Sequence, residues 1–219
     1  MKTKNKRNNS KGGNNMKGKE IMDVVFLLDR SGSMHGMEND TIGGYNSYLK
    51  SMRQKNAKIT TILFDNEYEM ITKRENISNV RDMDYKTYYT RGCTALLDAI
   101  GKTISYMDSE NPSKVVFIIT TDGLENASIE YNKGQIKEMI EGHKNWEFIY
   151  LGANIDSYKE ASSIGISKSR TSNFAKSKKG MGAMFGSVQK LCATYESEGC
   201  INEDWKDGLE DYIGKEKEL

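Results

Sequence analysis

The chain has 219 residues, a net charge of +1 from 32 Lys and Arg against 31 Asp and Glu, and a single proline. That length supports one well-buried α/β domain with short extensions. The near-neutral total hides an asymmetry: residues 1–20 carry seven basic side chains (Lys2, Lys4, Lys6, Arg7, Lys11, Lys17, Lys19) against Glu20 alone, so the remaining chain is acidic.

An acidic body argues against duplex binding, which needs Lys and Arg clustered on a folded face. No stretch has the length of a membrane span or the apolar core of a secretory signal. The expectation is therefore a cytoplasmic protein that binds neither nucleic acid nor membrane. Residues 1–20, rich in Asn, Lys and Gly, read as a disordered basic tail, a solvated segment rather than a tether to anionic surfaces. Cys93, Cys192 and Cys200 are odd in number and lack zinc spacing, which points to reduced thiols and against a Cys192–Cys200 bridge.

In chain order, Val24–Leu28 is a short apolar run ending in Asp29, the pattern of a strand buried on both faces. Ile42, Tyr45, Leu49 and Met52 step by three and four and predict a helix from about Asp40 to Gln54. Lys58–Asp65 reads as a second strand. Tyr68, Met70 and Ile71 read as a third, hairpin-linked and so antiparallel at a sheet edge. From Asn76 to Arg91 the periodicity fades into a loop. Thr94 opens a helix with an inner face of Leu96, Leu97, Ile100, Ile104 and Met107, and Pro112 punctuates its end. Gly101-Lys102-Thr103 falls inside that helix and lacks the first glycine of a phosphate loop, so nucleotide binding is rejected there.

Val115–Thr121 is a second strongly buried strand, running into Asp122-Gly123. Ile136, Met139 and Ile140 predict a helix, Trp146–Leu151 a strand, Asp156–Ser163 a short helix, and Ile164–Ser167 a brief strand. The stripe from Met181 to Tyr195 is the core face of a long helix. Residues 197–219 form an acidic extension, read as one loosely docked helix around Asp204–Ile213. The alternation predicts an α/β, doubly wound fold over residues 21–196. Its central sheet is mostly parallel with one antiparallel edge strand, and helices cover both faces.

The chemistry concentrates where two buried strands end in acid. Asp29, Ser31 and Ser33 alternate along the loop leaving the first strand, and Asp122 follows the second. Thr94, at a loop-to-helix junction, can reach the same point. In open α/β sheets ligands sit beyond the carboxyl ends of the strands, where the strand order reverses. Two carboxylates and three hydroxyls suit a hard cation, Mg²⁺ with Mn²⁺ or Ca²⁺ as substitutes. Neutral hydroxyls leave much of the metal charge uncompensated, so the site should welcome an Asp or Glu from a partner protein. Taken singly, Ser31 and Ser33 are ordinary turn residues, Thr94 an ordinary cap and Asp122-Gly123 an ordinary turn. Those readings leave unexplained why both strands deliver an acid to one sheet edge.

Asp29-Arg30-Ser31-Gly32-Ser33, Thr94 and Thr121-Asp122-Gly123 together resemble the metal-ion-dependent adhesion site of von Willebrand factor type A domains. The element order over about residues 21–195 is similar to theirs. Leu151-Gly152-Ala153-Asn154-Ile155-Asp156 further resembles stand-alone bacterial and phage members. The resemblance implies Ser31 and Ser33 as direct ligands, Thr94 as a direct or water-bridged one, and Asp29 and Asp122 as direct or water-bridged ones. It also implies an adaptor, not an enzyme, in assemblies such as those built with AAA+ ATPases or stress-response proteins. Cys93 departs from the small residue common before the threonine.

Two other functions compete. In a Mg²⁺-dependent phosphohydrolase Asp29 would be the nucleophile, but Ser31 stands where a second acid belongs and no motif places a lysine for the phosphoryl group. A metal-free scaffold would have no need of all five oxygen donors. His35 reads as a solvated loop residue. Tyr85, Tyr88, Tyr89 and Arg91 either rim the site or pack their loop.

Overall fold

The computed structural model describes residues 20–214, so all of the expected basic tail but Glu20 lies outside the described residues. Six strands form one sheet: β1 (Met22–Asp29), β2 (Ala57–Phe64), β3 (Tyr68–Asn76), β4 (Val115–Thr121), β5 (Trp146–Gly152) and β6 (Thr171–Asn173). Their order is β3-β2-β1-β4-β5-β6. Every neighbouring pair is parallel except β2 with β3, the hairpin at one edge. Five α-helices cover it among the described residues: α1 (Glu38–Met52), α2 (Leu96–Glu110), α3 (Lys133–Gly142), α4 (Ser157–Ser163) and α5 (Lys178–Glu198).

The two-residue alternation of a strand divides the central run between two cores. Val24, Phe26 and Leu28 face α1, α5 and the loop after β3, with the Phe26 ring edge-on to Tyr45 and Tyr48 at 5.4 and 4.8 Å. Val25 and Leu27 face α2, α3 and α4. Both faces are buried among apolar side chains, which is why β1 and β4 read as continuous apolar runs. The connection leaves β1 toward β2 and β3, then returns to place β4 on the other side. The strand order thus reverses between β1 and β4, whose carboxyl ends carry Asp29 and Asp122.

The structure departs from expectation in three places. The last strand is Thr171–Asn173 rather than Ile164–Ser167: Ile164 and Ile166 instead fill the second core, and a 3₁₀ turn at Lys168–Arg170 leads into the strand. The helix after Thr94 begins one step later, with Ala95 at its N-cap position, because Thr94 is engaged elsewhere. Beyond α5 two 3₁₀ turns, Glu203–Lys206 and Glu210–Tyr212, replace the single expected helix. That segment is well anchored: Ile201, Trp205 and Leu209 are buried in the core shared by α1 and α5. Among the described residues no helix is long and apolar enough to cross a membrane.

Candidate metal centre

The loop after β1 is held from three sides. Arg30 N donates to Phe64 O at 2.8 Å, and Arg91 N to Arg30 O at 2.8 Å. Gly32 N donates to Gly92 O at 3.1 Å, and Tyr88 Oη to Asp29 O at 2.6 Å. Tyr88 is therefore a packing residue under the site. Tyr89 is 43% exposed at its margin, with the Arg30 and Arg91 guanidinium carbons 5.5 and 5.4 Å from its ring centre, and Tyr85 is exposed further along. Arg30 itself is fully buried, its Nε 3.0 Å from Asp65 Oδ2 and its Nη1 2.6 Å from Glu69 Oε2. Arg91 shares the same Asp65 oxygen at 2.8 Å. These pairs tie the loop to the end of β2 and to the hairpin. His35 is at the outer edge, largely exposed and 3.2 Å from Glu38.

Within this frame the expected donors lie together. Ser31 Oγ and Ser33 Oγ are 3.0 Å apart, and Ser33 Oγ donates to Asp122 Oδ1 at 2.5 Å. Asp29 accepts from Ser31 N at 2.6 Å on one oxygen and from Thr121 Oγ1 at 2.5 Å on the other. Burial pushes the Asp29 carboxyl up to about 6; the Thr121 and Ser31 donors oppose that shift and the Asp122 charge adds to it. A Cβ placed on Gly123 would lie 3.0 Å from Thr94 Oγ1 and 3.3 Å from Ser33 Oγ, so both hydroxyls converge on the Asp122-Gly123 turn. Thr94, Asp29, Ser31 and Asp122 are buried, whereas Ser33 opens to solvent.

Thr94 is fixed by the loop after β4, not by its own helix. Its N–H donates to Asn126 Oδ1 at 2.9 Å and its carbonyl accepts from Asn126 N at 3.0 Å. Glu125 accepts from Leu97 N at 2.9 Å at the start of α2 and from Ala127 and Ser128 N–H of its own loop. A carboxylate at that helix N-terminus also complements its dipole.

Among the described residues no three His, Cys, Asp or Glu side chains cluster as metal ligands. The set instead couples two carboxylates to three hydroxyls, all of them hard oxygen donors that fit a Mg²⁺-like ion. A cation already stands there: Lys176 Nζ is 2.7 Å from Asp122 Oδ2 and also donates to Ser33 O. The sequence carries no sign of Lys176, Asn126 or Glu125 at the site, and it offers Thr121 only as part of the Thr121-Asp122-Gly123 motif, without its bond to Asp29. Thr121 sits one residue from an expected ligand, but Lys176 is 143 residues from Ser33 and carries no local signal.

No protein-family model matches the chain, and no curated protein matches it. Solved structures do resemble it. Proximal thread matrix protein 1 from the mussel byssus, solved with a zinc-occupied metal-ion-dependent adhesion site, is 16% identical at a TM-score of 0.59 over 79% of this chain and 46% of that one. The von Willebrand factor domain of the type V pili tip protein Mfa5 from Porphyromonas gingivalis is 10% identical at 0.62, over 84% of this chain and 99% of that domain. A von Willebrand factor type A protein from Catenulispora acidiphila is 14% identical at 0.55, over 78% and 42%. The chain spans under half the length of the mussel and Catenulispora proteins. At these identities the likeness is one of architecture: the chain has a von Willebrand factor type A-like fold.

Proposed function

We propose that the chain is a non-enzymatic protein-binding module. Asp29, Ser31, Ser33, Thr94 and Asp122 hold Mg²⁺, and the ion's open position takes an Asp or Glu of a partner protein. The observation that carries this reading is the run of oxygen atoms from Ser31 Oγ through Ser33 Oγ to Asp122 Oδ1, at 3.0 and 2.5 Å, beside the Thr94 hydroxyl at the strand switch point. Where Asp29 and Asp122 reach the ion through water, the directly bound groups would be neutral hydroxyls, and the ion would keep positive charge that an external carboxylate neutralises. Mg²⁺ would supply the electrostatic anchor. The chain's own residues fix its position and leave Ser33 open toward the partner. We place this activity in the cytoplasm, with an AAA+ ATPase or a stress-response assembly as the class of partner.

The test is affinity capture from native extract in Mg²⁺ and in excess chelator, with Asp29→Ala and Ser33→Ala as controls. Capture should require both the ion and the intact residues, while both variants stay folded by circular dichroism. Partner capture that persists in chelator, or in the variants, refutes the proposal. Lys176 supplies the cation that a phosphohydrolase reading lacked, so a phosphatase screen with Mg²⁺ belongs beside it. Turnover abolished by Asp29→Asn would install that second reading.

A further inference from the structure

Lys176 sits in the loop between β6 and α5, one residue before Ser177, whose hydroxyl caps α5 through Gly180 N at 3.1 Å. Its ammonium holds one oxygen of Asp122 at 2.7 Å and the Ser33 carbonyl, while Ser33 Oγ holds the other Asp122 oxygen at 2.5 Å. The Asp122 side chain is 1% exposed and that of Lys176 24%, so solvent and salt screen this pair less than a surface pair. The loop is braced on both sides, by Phe174 N to Gly152 O at 2.9 Å and Ser177 N to Ala175 O at 2.8 Å. The lysine thus reaches the carboxylate from a fixed base.

We infer that Lys176 is a tethered cation that competes with the divalent ion for Asp122, so that loading requires the ion to displace the ammonium. The inference rests on the metal reading given above. An ammonium offers three donors and no acceptor, so it cannot become a ligand and remains only a like charge. In a poorly solvated site that repulsion is strong. The lysine has an easy exit, because a compact, well-hydrated ammonium on a flexible four-carbon stem swings to solvent readily. The exchange also selects for charge. A monovalent ion would replace one unit charge with another, and only a multivalent ion adds to what Asp29 and Asp122 already hold.

The experiment is a Mn²⁺ titration by calorimetry on the full chain, comparing wild type with Lys176→Gln, Lys176→Met and Asp29→Ala. Acylation of Lys176 by an amine-reactive reagent is followed in parallel by mass spectrometry. Both Lys176 variants should bind Mn²⁺ at least about tenfold more tightly, the scale of one charge-assisted hydrogen bond removed from competition. Asp29→Ala should bind none, and acylation of Lys176 in the wild type should accelerate once Mn²⁺ saturates. Binding by the Lys176 variants alone would support the same conclusion. Wild-type or weaker affinity in both Lys176 variants, or unchanged acylation at saturation, overturns the competition while leaving the metal site standing. Absence of Mn²⁺ binding in the wild type and both Lys176 variants overturns the metal reading and this inference with it.

Discussion

Asp98, in the first turn of α2, shows how single side chains hold the site's loops in place. Its carboxylate accepts from Ile129 N, Glu130 N and Tyr131 N at 2.9, 2.9 and 2.8 Å, clamping the far end of the loop that carries Glu125 and Asn126. Burial alone would raise its pKa, but those backbone donors and nearby Lys102 outweigh it and hold the carboxyl below its ordinary value. A folded pKa below the unfolded one stabilises the fold above about pH 4, the unfolded aspartate value, and that contribution is lost as pH falls through the folded value. Asp98→Asn should therefore lower stability by about 1–3 kcal/mol at neutral pH. The gap from wild type should shrink as the pH is taken below about 4 in paired urea titrations. A gap constant across that range would show that the charge of Asp98 is not what fixes the loop. Asp98 and Asn126 are also residues that sequence alone leaves unread, and Thr121 is read only as part of a motif, without its bond to Asp29. The five expected donors stand at ends of apolar runs or at a loop-to-helix junction, where position itself is a signal. Thr121 Oγ1 reaches Asp29 across 92 residues, and only the pairing of β1 with β4 makes that contact.

Among the elements, α1 and α5 pack through a glycine. A Cβ on Gly44 would lie 2.1 Å from Phe185 Cδ2, so α1 accepts the Phe185 ring only because position 44 has no side chain. The ring continues into the first core, 6.4 Å from Phe26. Gly44→Ala should cost about 1–3 kcal/mol by overpacking, more than offsetting the better helix propensity of alanine. Adding Phe185→Leu should recover part of that loss, a non-additive pair visible in a double-mutant cycle of thermal melts. Strict additivity would mean that the two helices do not meet through this pair. Strand existence was legible for β1, β2, β4 and β5 because both faces are buried and the residues are β-branched or aromatic. The Thr171-Ser172-Asn173 strand was not, since three polar residues carry no hydrophobic period and pair only because β5 offers an edge.

Across the whole molecule, the segment after α5 closes what would otherwise be an open side. β6 has only three registered pairs with β5, too little to protect an edge unaided. Trp205 anchors the segment just before that strand: it is 2% exposed, and its Nε1 donates to Ser169 O at 3.0 Å. Lys206 Nζ donates to Lys168 O at 2.7 Å and Thr171 O at 3.0 Å, and Glu210 accepts from Tyr158 Oη at 2.8 Å. The acidic composition of this stretch suggested loose attachment, but a few apolar residues at irregular spacing suffice when they insert into a shared core. Trp205→Ala should then destabilise the entire domain by about 3–5 kcal/mol, the range for emptying a buried aromatic site. Urea unfolding followed by circular dichroism should show a lower midpoint with an unchanged slope, because the domain unfolds as one unit. An unshifted midpoint, with only the local indole signal lost, would instead make residues 199–214 an appendage, and the sheet would have to protect its β6 edge without them.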